Sequence, residues 1–150
     1  MLSRNGTAEV LSELHQPRRN AAELRRVEEA GGVVADGRVL HPATLTKRIS
    51  MPLSRTLGSP MYKEADPRSG VLAEPFLASL EVGPDDEFVV VASDGVFDAF
   101  PAQDVVDFVH RRMAAGMAPE AIASDVVGRA LARGSRDNIS AAVLFLAPYH

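Results

Sequence analysis

An uninterrupted apolar run covers residues 88–92, Phe-Val-Val-Val-Ala. Such a run predicts a strand that is buried on both faces. It stops at Ser93–Asp94–Gly95, where a carboxylate precedes a residue that lets the backbone turn sharply. The pattern therefore predicts that Asp94 lies at the rim of a sheet, although an ordinary Asp-Gly turn at a strand end gives the same pattern.

Two stretches with helical spacing follow this strand, and each begins at a proline. Pro101 and Pro119 suit the first turn of a helix, and Gly116 and Gly134 suit the helix ends. The predicted inward positions are Val105, Val106, Phe108, Val109 and Met113 in the first helix, and Ile122, Ala123, Val126, Val127, Ala130 and Leu131 in the second. A last apolar strand is predicted over residues 139–146.

The two predicted helices determine where the chain returns. Each has about 15 residues, or roughly 22 Å, so an antiparallel hairpin with equal arms brings the chain back to the end that it left. Asp137, in the segment Ser-Arg-Asp-Asn at 135–138, then comes to the same edge of the sheet as Asp94. Two carboxylates at one site repel each other unless a cation lies between them or one takes up a proton. Oxygen ligands suit hard Mg²⁺ or Mn²⁺, and the alternative for Asp137 is a turn in which Asp or Asn bonds the backbone.

The first half of the chain predicts smaller elements. Asn5–Gly6 indicates a hairpin turn, and Asn20 caps a helix over 21–30 whose charged residues, Glu23 included, face water. Residues 33–40 predict a second hairpin around Asp36–Gly37.

The region between residues 53 and 82 predicts three further features. Residues 53–58 are compact enough for a single helical turn, and residues 59–70 lack periodicity, which predicts an exposed loop that is either a functional flap or a tolerated insertion. Residues 73–82 alternate in their later part, which predicts a strand that is the antiparallel neighbour of the central one.

Composition narrows the function classes. With 150 residues, of which 46% are hydrophobic, the chain is long enough for a domain with a real core. A net charge of -4 and few aromatic residues argue against nucleic acid as a partner, and no apolar run approaches the length of a membrane span. The absence of cysteine excludes disulfides and suits an intracellular protein, cytoplasmic or nuclear.

Several ordered motifs together resemble the metal-dependent type 2C (PPM-type) protein serine/threonine phosphatases. The two most specific are Ala-Ser-Asp-Gly-Val-Phe-Asp at 92–98 and Gly-Ser-Arg-Asp-Asn-Ile-Ser at 134–140. The others that agree in order and spacing lie at 11–17, 23–33, 53–58 and 73–75. The likeness covers nearly the whole chain and corresponds to the C-terminal half of the family's catalytic domain.

This resemblance implies an α+β fold, an antiparallel β-sandwich flanked by helices, with the 59–70 loop at the position of the family's flap. It implies that Asp94 and Asp137 are ligands of a binuclear Mg²⁺ or Mn²⁺ centre. There, a metal-bridged water or hydroxide would attack the phosphorus of phosphoserine or phosphothreonine in a phosphoprotein. No residue is assigned a separate catalytic role.

The family's N-terminal signatures, which supply further metal ligands, do not occur in this sequence, and Leu14 and Ser59 stand where the family commonly has Asp. We therefore expect residues 1–150 to be a partial, incomplete domain that needs its missing N-terminal half. The alternatives are a catalytically inactive phosphatase-like binding module and a structural fragment without an independent role.

Overall fold

Short strands and helices alternate along the computed structural model, which describes residues 1–146. In chain order the elements are β1 (Leu2–Arg4), β2 (Thr7–Glu9), α1 (Ala21–Glu29), β3 (Val34–Ala35), β4 (Arg38–Leu40), β5 (Ser50–Met51), α2 (Pro60–Lys63), a 3₁₀ turn (Pro67–Ser69), β6 (Asp86–Ala92), α3 (Asp94–Phe97), α4 (Ala102–Ala114), α5 (Pro119–Ala132) and β7 (Ala141–Phe145). The strands form two antiparallel sheets, in the orders β2-β1-β6-β7 and β3-β4-β5. The predicted α+β class with antiparallel sheets and helices is confirmed.

The described chain divides into two units. Unit 1 comprises residues 1–12 together with 78–146, and it contains the four-stranded sheet with α3, α4 and α5. Unit 2 comprises residues 13–77 and contains the three-stranded sheet with α1 and α2. Each unit has its own cluster of buried apolar side chains.

Strand β6 is the central strand of unit 1, and its two faces differ. Phe88 and Val90 are fully buried against the helices, whereas Val91 is 66% exposed. Leu144 of β7 lies opposite Val89 and is 61% exposed on the same outer face. The prediction that this strand is buried on both faces was therefore wrong, because among the described residues of unit 1 helices cover one face only.

The predicted helical hairpin is confirmed as α4 and α5, which have 13 and 14 residues. The buried stripe of α4 consists of Val105, Val106, Phe108 and Val109, and that of α5 of Ile122, Val126 and Ala130. Leu131 was predicted to face inward but is 56% exposed. It follows the buried Ala130 by one position, about 100° around the helix, and so points away from the buried face.

The N-terminal predictions are largely confirmed. Strands β1 and β2 form a hairpin at Asn5–Gly6, where both residues have positive φ, and a second hairpin turns at Asp36–Gly37 between β3 and β4. Asn20 caps α1 by accepting hydrogen bonds from the backbone of Ala22 and Glu23. The expectation that the Glu23 side chain faces water is wrong: this residue is only 2% exposed.

Three predictions between residues 53 and 82 are wrong. Residues 53–58 form no helical turn but an irregular segment in which Arg55 forms an isolated β-bridge with Leu72. The 59–70 loop contains α2 and the 3₁₀ turn, and it buries Tyr62 in the core of unit 2. Residues 73–82 form no strand, and the antiparallel neighbours of β6 are β1 and β7.

Candidate metal-binding edge

Asp94 is placed at the end of the central strand by a change from strand to helix. Strand β6 ends at Ala92, Ser93 is extended, and Asp94 is the first residue of the short helix α3. The side chain of Asp94 is exposed. The sequence pattern identified the end of the strand but not this helical turn.

Ser93 joins this region to the loop before β7. Its backbone N–H donates to the Ser140 carbonyl at 3.0 Å, and its hydroxyl donates to the Asn138 carbonyl at 3.0 Å. The Ser140 N–H donates in turn to the Ser93 hydroxyl oxygen at 3.1 Å. The loop that carries Asp137 is therefore held at the end of β6 from which α3 begins.

Gly95 brings the two segments still closer. The Ser135 hydroxyl donates to the Gly95 carbonyl at 2.7 Å. A Cβ atom at Gly95 would lie 2.6 Å from the Asn138 carbonyl oxygen, so only glycine allows this approach. The glycine of the Asp-Gly pair thus has a packing role as well as a turn role.

Asp137 is exposed within this loop, and its Oδ1 accepts the Asn138 N–H at 2.7 Å. The segments that carry Asp94 and Asp137 are therefore adjacent, as the equal arms of the helical hairpin predicted. The local hydrogen bond is the backbone contact that the alternative interpretation of Asp137 required, and it occupies one of the two carboxylate oxygens.

A cleft of about 480 Å³ adjoins this edge and carries charges of both signs. Its charged lining residues are Asp98, Asp137, Arg133 and Arg136. Arg133 contacts Asp104 at 2.9 Å and lies over the Phe100 ring at 4.4 Å. Arg136 is exposed and forms no ion pair within residues 1–146. Sequence reasoning missed both arginines and Asp98, although Asp98 and Arg136 lie inside the two most specific motifs.

The donors at this edge fit part of the coordination shell of a hard cation. Two exposed carboxylates on adjacent segments are oxygen ligands of the kind that Mg²⁺ and Mn²⁺ bind. Over residues 1–146, however, no cluster of three or more histidine, aspartate or glutamate side chains could hold a metal ion. Water or another polypeptide segment would have to supply the remaining ligands.

A second polar cluster in unit 1 brings together a serine, a glutamate and a histidine. One Glu87 oxygen accepts the Ser3 hydroxyl at 2.6 Å and the Gly6 N–H at 3.0 Å, and it lies 2.9 Å from His110 Nε2. Burial favours a higher pKa for Glu87, but these three hydrogen bonds outweigh it and lower the pKa below its ordinary value. Because the Ser3 hydroxyl donates to the carboxylate and is fully buried, this cluster is a structural contact between β1, β6 and α4 and not a nucleophilic site.

Unit 2 contains a buried carboxylate with two guanidinium partners. Glu23 accepts hydrogen bonds from Arg26 at 2.9 Å and from Arg55 at 2.5 Å, and also from the Ser54 hydroxyl. Burial would raise the pKa of Glu23, but the bonds from Arg55, Arg26 and Ser54 together hold it far below its usual range. Arg26 also donates to the Gly70 carbonyl at 2.8 Å, so the cluster joins three distant segments of this unit.

Comparison with known proteins identifies the class to which this chain belongs. The family model described as Protein phosphatase 2C matches residues 1–139. Probable protein phosphatase 2C 22 of Arabidopsis thaliana is 33% identical over 148 residues, which are 99% of this chain and 37% of the relative. Probable protein phosphatase 1N of Mus musculus is 36% identical over 148 residues, which are 96% of this chain and 34% of the relative.

A solved structure, that of a C. elegans sex determining protein, has the same fold over nearly the whole chain. It is 27% identical with a TM-score of 0.73, and the match covers 98% of this chain and 34% of that one. The chain belongs to the protein phosphatase 2C family, and it spans about a third of the length of these two relatives.

Proposed function

We propose that this chain is the C-terminal part of a metal-dependent protein serine/threonine phosphatase domain, in which Asp94 and Asp137 bind Mg²⁺ or Mn²⁺. The observation that supports this most directly is the set of hydrogen bonds from Ser93 and Ser135, which holds the two aspartate segments at one end of the β6–β7 pair. The substrate class is phosphoserine or phosphothreonine in a phosphoprotein.

The residues of this chain would hold the cations and shape the approach to them. When bound, the ions would supply the Lewis acidity that activates water and offsets the charge of the phosphoryl group. Arg136, exposed beside Asp137, adds a positive charge that can attract the dianionic phosphate to the cleft.

We further propose that the partner of this chain is the remaining part of the domain. Two observations support this: the chain spans about a third of its relatives' length, and Val91 and Leu144 expose an apolar outer face on β6 and β7. Exposed apolar patches on sheets commonly mark surfaces that another polypeptide covers.

Metal binding tests the site. We expect isothermal titration with Mn²⁺ to show at least about tenfold weaker binding for Asp94→Asn and for Asp137→Asn, because each substitution removes one of two adjacent charges. Glu81→Gln is the matched control, since Glu81 is an exposed acid of the same unit that precedes β6, whereas Asp94 follows the other end of this strand. Unchanged affinity in both aspartate variants would contradict the paired-carboxylate site.

Activity tests the need for a partner. Two carboxylates leave most coordination positions to water, so we expect the purified 150 residues to hydrolyse p-nitrophenyl phosphate with Mn²⁺ no faster than the Asp94→Asn variant. Mn²⁺-dependent hydrolysis that Asp94→Asn abolishes would show that the chain is sufficient by itself.

A catalytically inactive phosphatase-like binding module is the second candidate. It is favoured by the absence of a three-residue metal-ligand cluster within residues 1–146. Retained binding of a phosphopeptide without measurable Mn²⁺ affinity would select this candidate over the first.

A further inference from the structure

Strand β7 has one edge that no other strand in the described part of the chain pairs with. The Leu146 N–H donates to the Glu87 carbonyl at 2.9 Å, and the Ser93 N–H donates to the Ser140 carbonyl at 3.0 Å. These two bonds direct the even-numbered residues of β7 towards β6. The backbone N–H and C=O groups of Ala141 and Val143 therefore point away from β6, towards the free edge.

The opposite edge of the same sheet is protected. Strand β2 has three residues, and the side chain of Gln103 accepts the Ala8 N–H at 2.9 Å and donates to the Gly6 carbonyl at 2.9 Å. Covering an edge in this way prevents the addition of another strand. No equivalent side-chain cap contacts Ala141 or Val143 among residues 1–146.

A groove of about 520 Å³ runs beside the free edge of β7. Its first wall is formed by residues 140–143 and its second by the first turns of α5, where Ala123 and Ser124 lie. Their small side chains leave room for a main chain close to Ala141 and Val143. A groove between a helix and an open strand edge is the geometry in which extended peptides add to a sheet.

One charge distinguishes this groove. Glu120, in the first turn of α5, lines it, is exposed and forms no ion pair within the described residues. No lysine or arginine lines the groove. A segment docked here gains from a basic side chain opposite Glu120.

We propose that this groove binds an extended segment of the phosphoprotein substrate, which adds to β7 as a strand and places a lysine or arginine at Glu120. The proposal rests on the proposed phosphatase function. Strand residues span about 3.3 Å each, so Ser140, three positions after Asp137, lies within roughly 10 Å of it along the chain. A segment bound along β7 thus has one end near the edge that carries Asp94 and Asp137, where its phosphorylated residue would lie.

The test uses the purified 150-residue chain and fluorescein-labelled dodecapeptides in fluorescence anisotropy without divalent cations. Each peptide alternates valine and threonine, carries phosphoserine at one end or the other, and has a single lysine that is moved one position at a time. We expect the peptide with lysine at the best position to bind at least about fivefold more tightly than the same peptide with glutamate at that position. The Glu120→Lys variant should reverse this preference, and Glu81→Lys should leave it unchanged.

Two further measurements distinguish strand addition from simple charge attraction. N-methylation of the peptide backbone should weaken binding only at every second residue, because alternate N–H groups of an added strand face β7. Hydrogen exchange at the amides of Ala141 and Val143 should slow at least about tenfold when the peptide is bound.

The outcomes separate this proposal from the phosphatase assignment. If the parent chain shows no Mn²⁺ binding but still binds the peptides, the proposed phosphatase function is overturned and the docking proposal stands. The docking proposal alone would be overturned if Glu120→Lys leaves the peptide preference unchanged. It would also be overturned if the effect of N-methylation on affinity does not repeat every two residues. The docking proposal would also be overturned if the amides of Ala141 and Val143 exchange slowly in the free chain and sedimentation shows concentration-dependent dimerisation. The edge would then bind a second copy of the chain.

Discussion

At the scale of single residues, the candidate site depends on side chains that position the backbone. Gly95 allows the Asn138 carbonyl to approach, and the hydroxyls of Ser93 and Ser135 hold the same loop from two sides. None of these three residues offers a charge to a cation. They determine instead where the carboxylates of Asp94 and Asp137 lie.

Gly95→Ala therefore tests the contact between the two segments. Its Cβ would lie 2.6 Å from the Asn138 carbonyl oxygen, and we expect a loss of about 1–3 kcal/mol in the free energy of unfolding. Gly128→Ala is the control, since a Cβ there meets nothing within 4 Å and alanine is the better helix former, by about 1 kcal/mol. Urea unfolding of both variants checks this. Equal changes in unfolding free energy would mean that the close approach of Gly95 to the Asn138 carbonyl does not require glycine.

Glu23→Gln tests the buried carboxylate of unit 2. The substitution leaves Arg26 and Arg55 without their counter-ion, and we expect a loss of about 2–3 kcal/mol at pH 7, reduced because both arginines are partly exposed. Glu28→Gln, on the exposed face of the same helix, should change the unfolding free energy by less than about 0.5 kcal/mol.

The same carboxylate has a defined pH dependence. Because the folded-state pKa of Glu23 is lowered, its contribution to stability is complete above the unfolded-state value of about 4.3 and is lost as the pH falls below it. The difference in unfolding free energy between the parent chain and Glu23→Gln, measured by urea titration, should accordingly shrink from pH 5 to pH 3. A difference that grows on acidification would mean that Glu23 is protonated in the folded chain.

At the scale of secondary-structure elements, β6 and the α4–α5 hairpin organise unit 1. The strand contributes Phe88 and Val90 to the helix-facing core, and the two helices bury their stripes against it. Their nearly equal lengths return the chain to the end of β6 from which it departed. The position of the candidate site is thus a consequence of helix length as much as of the motifs.

Adjacent valines of β6 provide a matched test of its two faces. Val90 is fully buried, so Val90→Asp should abolish cooperative thermal unfolding by burying an unpaired charge. Val91 is 66% exposed, so Val91→Asp should keep a cooperative transition within a few degrees of the parent chain. Circular dichroism melts check both, and equal sensitivity would show that the outer face is covered in solution.

At the scale of the whole molecule, local patterns predicted most elements but not all their environments. The capping residue Asn20, the Asn-Gly and Asp-Gly turns and the helical stripes depend on neighbours in sequence, and they were predicted from it. The burial of Glu23 depends on Arg55, 32 residues away, and no periodicity reveals such a partner. The exposed Val91 depends on what covers the sheet, and so a valine-rich run could not distinguish one buried face from two.

The candidate site also combines features that depend on neighbours in sequence with features that depend on distant contacts. Its position followed from the helical hairpin, and the motif resemblance singled out Asp94 and Asp137 as ligand candidates. The contributions of Ser93 and Ser135 could not be predicted, because each bonds a carbonyl about forty residues away. For Glu23, Ser93 and Ser135 alike, the contacts that sequence reasoning missed are formed between segments far apart in the chain.

The separation of β1 from β6 in sequence has a kinetic consequence. Arg4 contacts Asp86 across 82 positions, and all of unit 2 lies between these two strands. Closing a loop of this length costs about 4 kcal/mol in chain entropy before any contact compensates it. Strands β6 and β7 pair across only 49 to 57 positions, and the α4–α5 hairpin between them forms from contacts that are close in sequence. We therefore expect the N-terminal hairpin to join the sheet late in folding, after β6, α4, α5 and β7.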